Sequence, residues 1–278
     1  MQRIEEIDEI EAIEIELLLQ GIYRRYGYDF RNYAAASIRR RILNFAKNEQ
    51  LATITSVQER VLHDPVAMDR FVLSLTVNVT AMFRDPAFFY MLRTKVVPLL
   101  KTYPLVRIWD AGCCTGEEAY SMAIILQEEG LYDKCRIYAT DMNEAVLRKA
   151  KTGIFHLSHM KEYTDNYIQS GGKASFSEYY TAKYDHAILQ QSLRKNIVFA
   201  QHNLVTDRSF NEFNLVMLRN VLIYFNEDLR QKVLGLVHDS LMPFGVLALG
   251  KRETLRFVDH EREYETLDSQ EKLFRRTA

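Results

Sequence analysis

Two glycines, Gly112 and Gly116, flank a tight turn in the segment WDAGCCTGEEAYS, between a predicted strand and a predicted helix. Glycine lets a backbone approach a ligand closely and adopt a positive φ, and the amides at a helix N-terminus attract anions. The segment lacks the GK[ST] ending of a P-loop and the GxGxxG of dinucleotide-binding proteins. An ordinary strand-to-helix turn is the alternative interpretation.

Asp141 ends the next predicted strand, CRIYATD. An acidic side chain at the end of the second strand is placed to accept hydrogen bonds from ribose hydroxyls. Asp141 or Asn143 could instead cap the helix of EAVLRKA, and neither role excludes the other. The glycine turn and this aspartate together predict nucleoside binding.

The segment RNVLIYF places two polar side chains, Arg219 and Asn220, at the end of an apolar strand, with Tyr224 one helical turn later. A buried arginine needs a ligand or a carboxylate beside it, because an unpaired buried charge is costly. A fourth segment, NVTAMFRD, carries polar side chains at the end of an apolar helix: Asn78, Thr80 and Arg84. A polar linker is the alternative for this segment.

Two kinds of pattern position these residues. In residues 9–102 the apolar residues recur at helical spacing, which predicts helices. After Tyr103-Pro104, short apolar runs alternate with longer amphipathic runs. Strands that alternate with helices predict a mostly parallel sheet covered by helices. Between His156 and Leu193 a tyrosine-rich stretch predicts an inserted small hairpin.

Composition excludes several classes of protein. The 278 residues carry a net charge of −1, so no global field favours nucleic acid. The start MQRIEEIDEI lacks a signal-peptide pattern, and no apolar run approaches the ~20 residues that span a bilayer. Three cysteines without a CxxC pair fit a reduced, cytoplasmic protein. The seven histidines form no ligand pattern, so no metal is predicted.

The ordered set of segments resembles the CheR family of chemoreceptor methyltransferases, from roughly residue 15 to the end. WDAGCCTGEEAYS is similar to the family's W-[SD]-A-[GA]-C-S-T-G-E-E-P-Y-S, and NVTAMFRD to N-[VL]-T-x-F-F-R-[DE]. RNVLIYF matches the family letter for letter, and LMPFGVLALGKRETL resembles L-x-P-x-G-x-L-x-x-G-x-x-E. Cys114, Ala119, Met82 and the GKRE segment depart from the usual residues, and none of these departures removes a polar group assigned to the cofactor or the reaction.

The resemblance implies an all-α N-terminal domain and a Rossmann-like α/β methyltransferase domain that carries a small inserted antiparallel β-subdomain. The expected bounds are 9–85 and 86–278, with the insertion at about 157–194. It also implies S-adenosylmethionine as cofactor, S-adenosylhomocysteine as product, and methyl transfer to glutamate side chains of chemoreceptors.

The resemblance implies a site residue by residue. Glu118 would bind the methionine amino group, Asp141 the ribose, and Asn203-Leu204 would flank the adenine. Arg84 and Tyr224 would lie beside the reacting methyl. The full expected cofactor set is Asn78, Thr80, Arg84, Gly112, Glu118, Asp141, Asn203, Leu204, Arg219 and Asn220.

The acceptor chemistry agrees with the absence of a convincing catalytic histidine or cysteine. A glutamate has a pKa near 4.3, so it is ionised at neutral pH and needs no general base. Positioning and exclusion of water would then supply most of the rate.

Partner contacts are also implied. Chemoreceptor helices would dock on the arginine-rich helical domain, at Arg39, Arg40 and Arg41, by charge complementarity; a solvated helix face is the alternative. The short, glycine-free turn in YYTAKYDHAIL predicts no tether to a receptor's C-terminal pentapeptide. We expect a monomer with no nucleic-acid partner and no membrane insertion.

Three other functions compete. A nucleic-acid methyltransferase would carry an Asn/Asp-Pro-Pro-aromatic motif where this chain has LRNVLIYF. A nicotinamide oxidoreductase would carry GxGxxG. A non-catalytic signalling module that binds S-adenosylmethionine is the strongest alternative, and the presence of Arg84 and Tyr224 argues against it.

Overall fold

The computed structural model describes residues 2–76, 80–256 and 260–277, with side chains from residue 9 onward. The chain divides into two compact units. The first comprises residues 1–78 and 224–232, and the second comprises residues 79–223 and 233–278. Each unit has its own core and is described separately.

The first unit is built from helices. Four helices precede residue 77: α1 Gln2–Tyr26, α2 Ala35–Asn48, α3 Ile54–His63 and α4 Pro65–Leu75. In α2 one face of Ile38, Ile42 and Phe45 is buried, as expected when apolar residues recur at i, i+4 and i+7. The side chains of Thr53 and Asp64 cap the N-termini of α3 and α4 by accepting backbone N–H groups.

The second unit alternates strands with helices. Its helices are α5 Pro86–Met91, a π-helical turn Leu92–Val96, α6 Val97–Leu100, α7 Glu117–Glu128, α8 Glu144–Thr152, α9 Met160–Gln169 and α10 Glu227–Ser240, which begins in the first unit. Short 3₁₀ turns occur at Tyr132–Lys134, Leu157–His159, Phe176–Tyr179, Gln191–Arg194, Leu222–Tyr224 and Glu261–Glu263. The strands are β1 Val106–Ala111, β2 Cys135–Asp141, β3 Ile154–His156, β4 Tyr180–Lys183, β5 His186–Leu189, β6 Ile197–Gln201, β7 Phe213–Leu218, β8 Leu241–Leu249, β9 Tyr264–Asp268 and β10 Leu273–Arg276.

Seven of these strands form one mixed sheet in the order β6-β2-β1-β7-β8-β10-β9. The five strands from β6 to β8 pair in parallel, and β10 pairs antiparallel with both β8 and β9. All six residues of β7 are buried, the composition of a strand covered on both faces. The order reverses at β1, so the carboxyl ends of β1, β2 and β7 form one ligand-binding edge.

The remaining strands, β3, β5 and β4, form a small antiparallel sheet in that order. The predicted fold class is therefore confirmed: helices come first, followed by an α/β domain with a mostly parallel sheet and a small antiparallel sheet. The predicted bounds at residues 85 and 86, and at about 157–194, stay predictions.

The loop after α9 tolerates no side chain at Gly172, because an added Cβ would overlap the buried ring of Tyr167. That ring packs on Phe83, 5.2 Å away between centroids. Gly172→Ala is expected to lower the free energy of unfolding by about 1–3 kcal/mol, as overpacking does. Urea denaturation measures the change.

The matched control is Gly235→Ala in α10, where the added methyl meets no atom within 4 Å. It should be neutral or stabilising by up to about 1 kcal/mol, because alanine favours helix over glycine. An equal decrease in the free energy of unfolding of the two variants would contradict the packing explanation.

Candidate functional site

A buried arginine joins three chain segments at the carboxyl edge of the sheet. Arg219 follows β7, and its side chain is 1% exposed. Its Nη1 donates to Glu118 Oε2 at 2.5 Å, and its Nη2 donates to Asp85 Oδ2 at 2.8 Å and to the carbonyl of Arg84 at 3.3 Å. The guanidinium also stacks on Phe88, 3.8 Å from the ring centroid. One cation thus fixes the end of β7, the first turn of α7 and the segment before α5.

The segment before α5 has an unusual backbone. Phe83 and Asp85 both have left-handed φ values, 52° and 60°, a conformation that non-glycine residues adopt at some cost. Phe83 is buried, and its N–H donates to Ser121 Oγ at 2.9 Å. Thr80 and Arg84 are partly exposed, whereas Asn78 lies outside the described residues. Anchored neighbours therefore hold Arg84 in a strained turn.

The glycine turn has no room for a side chain. Gly112 has φ 85°, and a Cβ there would lie 2.7 Å from Val221 Cγ2. The carboxylate of Asp141 accepts the N–H groups of Cys114 at 3.1 Å and Asn143 at 2.9 Å. The cap of α8 is Asn143, whose Oδ1 accepts the Ala145 N–H at 2.9 Å. Asp141 is therefore not the capping residue, and it shapes the turn.

Carboxylates outnumber cations at this edge. Asp110, at the end of β1, is 2% exposed, and its Oδ2 has no hydrogen-bond partner among the described residues. Burial and the nearby charge of Glu118 raise the pKa of Asp110 well above its usual range, although Arg219 opposes the shift. Burial also raises the pKa of Asp141 and of Glu117. A cationic ligand would relieve this excess of negative charge.

Sequence reasoning missed Asp110 and Glu253 as site residues. Glu253 is 4% exposed. Its Oε1 accepts the N–H groups of Val221 and Leu222, both at 2.8 Å, and its Oε2 accepts those of Asn220 at 3.0 Å and Gly250 at 2.6 Å. These bonds hold Asn220 at a left-handed φ of 61°. Two features of the sequence could have identified these residues. Asp110 is the one acidic residue of the apolar strand β1, and Glu253 is the final glutamate of the GKRE segment.

The other predicted residues are found in two places. His202 donates its N–H to the carbonyl of Asp141 at 3.1 Å, which brings Asn203 and Leu204 to the end of β2. Tyr224 belongs to the first unit, where its carbonyl accepts the Ala34 N–H at 2.8 Å. In the second unit the described structure gathers the following around one edge: Arg84, Gly112, Glu118, Asp141, Asn203, Leu204, Arg219 and Asn220.

Comparison with known proteins identifies the family. Residues 78–273 match the family described as CheR methyltransferase, SAM binding domain, and residues 13–76 match CheR methyltransferase, all-alpha domain. The chain belongs to the CheR methyltransferase family. It is therefore an S-adenosylmethionine-dependent methyltransferase by family, and the predicted cofactor is confirmed.

Individual relatives cover nearly the whole chain. Cher3 of Pseudomonas putida, provisionally named a methyltransferase, is 50% identical over 95% of this chain and 97% of its own length. A chemotaxis protein methyltransferase of Listeria innocua is 30% identical over 84% of this chain and 87% of its own length. The N-methyltransferase NodS of Bradyrhizobium japonicum, solved with S-adenosylhomocysteine, aligns over 61% of this chain and 62% of its own with 14% identity and a TM-score of 0.33. That likeness is too weak to carry an inference.

The residues at this edge fit S-adenosylmethionine. The cofactor carries a sulfonium and an ammonium, and the edge offers buried carboxylates together with an unpartnered Asp110 Oδ2. Gly112 leaves room for close backbone approach. In the described part of the chain, no helix is long and apolar enough to cross a membrane.

The structure differs from the expectation that the histidines form no ligand cluster. His238, His260 and Glu263 offer ligand atoms that all lie within 4.8 Å of one another. His238 lies in the last turn of α10 and His260 lies beyond β8, so the fold rather than a local motif brings them together.

The raised pKa of Asp110 predicts a pH-dependent stability. The folded protein holds the proton of Asp110 more tightly than the unfolded chain does. The contribution of Asp110 to the free energy of unfolding therefore falls as pH rises from about 3.9 towards the raised pKa. Asp110→Asn stays neutral at every pH. We expect the free energy of unfolding of this variant, relative to that of the native protein, to rise by at least about 1 kcal/mol between pH ~5 and pH ~8. Urea denaturation at the two pH values measures the change.

The control is Asp133→Asn, because the Asp133 side chain is 93% exposed. Its stability difference from the native protein should be the same at both pH values. If Asp110→Asn instead lowers the free energy of unfolding equally at both pH values, the native Asp110 carboxylate is ionised and stabilised by Arg219.

Proposed function

We propose that this chain transfers the methyl group of S-adenosylmethionine to glutamate side-chain carboxylates of chemoreceptors, and so forms methyl esters for sensory adaptation. The observation that carries the proposal is the carboxylate-rich edge organised by Arg219, in a chain of the CheR family. The printed name of the Listeria innocua relative, chemotaxis protein methyltransferase, supports the choice of acceptor.

The site residues take the roles that the family resemblance implies. Glu118 would bind the amino group of the cofactor, and its bond to Arg219 orients the carboxylate for that task. Asp141 would bind the ribose with the lone pairs that the backbone amides of Cys114, Met142 and Asn143 leave free. Asn203 and Leu204 would flank the adenine. Thr80, Gly112 and Asn220 would complete the contacts, as would Asn78.

When bound, S-adenosylmethionine supplies a methyl group activated by a sulfonium. The chain needs no base, because a glutamate acceptor is ionised at neutral pH. Arg84 would orient the acceptor carboxylate by charge-assisted hydrogen bonds, and Tyr224 would support the same group. Catalysis then comes from alignment of nucleophile and methyl carbon, which is worth several kcal/mol in well-oriented reactions.

The cysteines do not act as methyl carriers in this mechanism. Burial raises the pKa of Cys114 to about 12 and also raises that of Cys113. Both side chains are therefore protonated thiols at neutral pH, and the thiolate is the nucleophilic form. Direct transfer to the carboxylate is the simpler route.

The central experiment measures labelled methyl transfer from S-adenosylmethionine to receptor-containing membranes. The native chain should leave base-labile label on a receptor band. Arg84→Ala should lower the rate roughly tenfold to a hundredfold, because a misplaced acceptor loses alignment. The control is Arg148→Ala, since that side chain is 61% exposed and, among the described residues, its ion-pair partner is Glu144 on its own helix; its rate should be unchanged.

A second candidate function is tested at the same time. A non-catalytic module would bind S-adenosylmethionine in calorimetry and leave no label on any membrane fraction. Base-stable label would instead contradict ester formation and indicate another acceptor atom.

The arginine-rich face of α2 is the proposed receptor-docking surface, and its three arginines differ in environment. Arg39 forms an ion pair with Glu11. Arg41 is partly buried, donates to the Ser74 carbonyl at 3.3 Å, and lies over the Tyr224 ring at 5.2 Å. Arg40 is exposed and has no ion pair among the described residues. We therefore assign the main receptor charge contact to Arg40, with Arg39 beside it.

Arg40→Glu should raise the KM for receptor at least about tenfold at low salt and leave kcat near the native value, because steering charges act on encounter. Kinetics at two ionic strengths check this, since added salt should narrow the difference. Lys151→Glu, an exposed change of the same charge on α8, is the control. Equal effects of both variants would point to net charge rather than to a docking face. A monomer without a pentapeptide tether stays our prediction.

A further inference from the structure

The main chain around Tyr224 is fastened to the loop that precedes α2. The Ala34 N–H donates to the Tyr224 carbonyl at 2.8 Å. The next residue, Phe225, forms an antiparallel bridge with Tyr33, and the two rings meet edge to face with centroids 5.1 Å apart. Phe225 is buried, so this bridge is part of the core of the first unit. The backbone of Tyr224 therefore has a fixed place in that unit.

The side chain of Tyr224 is contacted by one residue of α2, Arg41. The guanidinium carbon of Arg41 lies over the phenol ring, 5.2 Å from its centroid, which is within the range of a cation–π contact. The Arg41 side chain is also a hydrogen-bond partner of the Tyr224 side chain. Because a guanidinium can only donate, the phenol oxygen is the acceptor. One cation thus contacts both the ring and the hydroxyl.

Two further hydrogen bonds fix the guanidinium of Arg41. Its Nε donates to Ser37 Oγ at 3.3 Å, one helical turn earlier in α2, and its Nη1 donates to the Ser74 carbonyl at 3.3 Å, in α4. Arg41 is partly buried, whereas its neighbour Arg40 is exposed. Holding a long side chain in one orientation costs rotamer entropy, which these partners offset. Arg41 therefore has the fixed geometry of a residue that orients another.

We propose that Arg41 is a positioning residue, which holds the Tyr224 hydroxyl in the orientation that the acceptor carboxylate requires, and that it is not a receptor contact. The inference rests on the proposed function, in which Tyr224 supports that carboxylate. A phenol hydroxyl can accept one hydrogen bond and donate another at the same time. Acceptance from a cation polarises the hydroxyl and strengthens the bond that it donates. Tyr224 is partly exposed, so a substrate can reach it.

The arginines of α2 then divide between two tasks. Adjacent residues of a helix point about 100° apart, because 3.6 residues make one turn. The helix can therefore present Arg40 to a receptor while Arg41 turns towards Tyr224 within its own unit. A docking residue acts on the KM for receptor, whereas a residue that orients a catalytic hydroxyl acts on kcat. The two kinetic constants should separate the two tasks.

The test makes the same substitution at the two neighbouring arginines of the full chain, with receptor-containing membranes as acceptor. Arg41→Met should lower kcat roughly tenfold and leave the KM for receptor near the native value, because a loosened hydroxyl spoils alignment. Arg40→Met should raise the KM instead. Arg41→Lys keeps the cation and should recover part of the lost kcat.

Arg60→Met is the matched control in the same unit. The Arg60 side chain is 49% exposed and forms an ion pair with Asp64, four residues later. Neither its kcat nor its KM should differ from that of the native chain. A lower kcat in this control as well would overturn the proposal, because loss of any arginine from the helical unit would then have the same effect.

A double-mutant cycle shows whether Arg41 acts through the tyrosine. In a Tyr224→Phe background, which lacks the hydroxyl, Arg41→Met should lower kcat by less than about twofold, because residues that act together are not additive. The free energies of unfolding of the same variants, from urea denaturation, should also be non-additive, and that measurement needs no acceptor. The urea curves show whether each variant folds, and Arg41→Lys takes its place in the cycle if Arg41→Met does not.

Two kinetic outcomes would overturn the positioning role and leave the proposed function standing, because the native chain would still label the receptor. One is a raised KM with unchanged kcat in Arg41→Met, which would make Arg41 a docking residue. The other is additive effects of Arg41→Met and Tyr224→Phe on kcat. If the native chain labels no receptor, the proposed function fails. The unfolding cycle alone then decides whether Arg41 holds Tyr224, and additive free energies would overturn it.

Discussion

The site depends on one buried guanidinium. Arg219 is almost fully removed from water, and such a charge is tolerated only when carboxylates surround it. Glu118 and Asp85 provide that pairing from two other segments, and the ring of Phe88 covers one face of the cation. Losing one partner would leave a buried charge uncompensated, which costs about 3–5 kcal/mol in comparable pairs. Folding of the domain and assembly of the site are therefore the same event.

Strain is concentrated where this network is densest. Among the described residues, eight non-glycine positions have positive φ, and four lie at the carboxyl edge of the sheet: Phe83, Asp85, Cys114 and Asn220. Each is held by bonds that outweigh its conformational cost, such as the amide acceptors of Glu253 around Asn220. The bonds that hold these positions come from the chain itself, and an edge preorganised in this way loses little entropy when a ligand binds.

The sequence predicted those features that have a local signature. Strand and helix alternation, the glycine turn and the acid that ends β2 were readable from spacing, and the ordered motifs identified the family. Features that depend on contacts between residues distant in the sequence could not be predicted from it. Nothing near Glu253 in the chain shows that its carboxylate accepts amides of residues 220–222, and nothing in the spacing of His238 and His260 predicts stacked rings. The unequal environments of Arg39, Arg40 and Arg41 likewise depend on packing that a charge pattern does not encode.

The carboxylate acceptor that we propose would also explain which residues carry the recognisable motifs. Because such an acceptor is already ionised at neutral pH, the enzyme would not need to remove a proton, and no general base would be required. The motif residues can then serve the cofactor and alignment, as the clustering of Gly112, Glu118, Asp141 and Arg219 at one edge indicates. Under the proposed function, the choice of receptor would fall to charges outside that edge. If the α2 face is the docking surface we propose, a change on it would alter which receptor is methylated and leave the cofactor network intact.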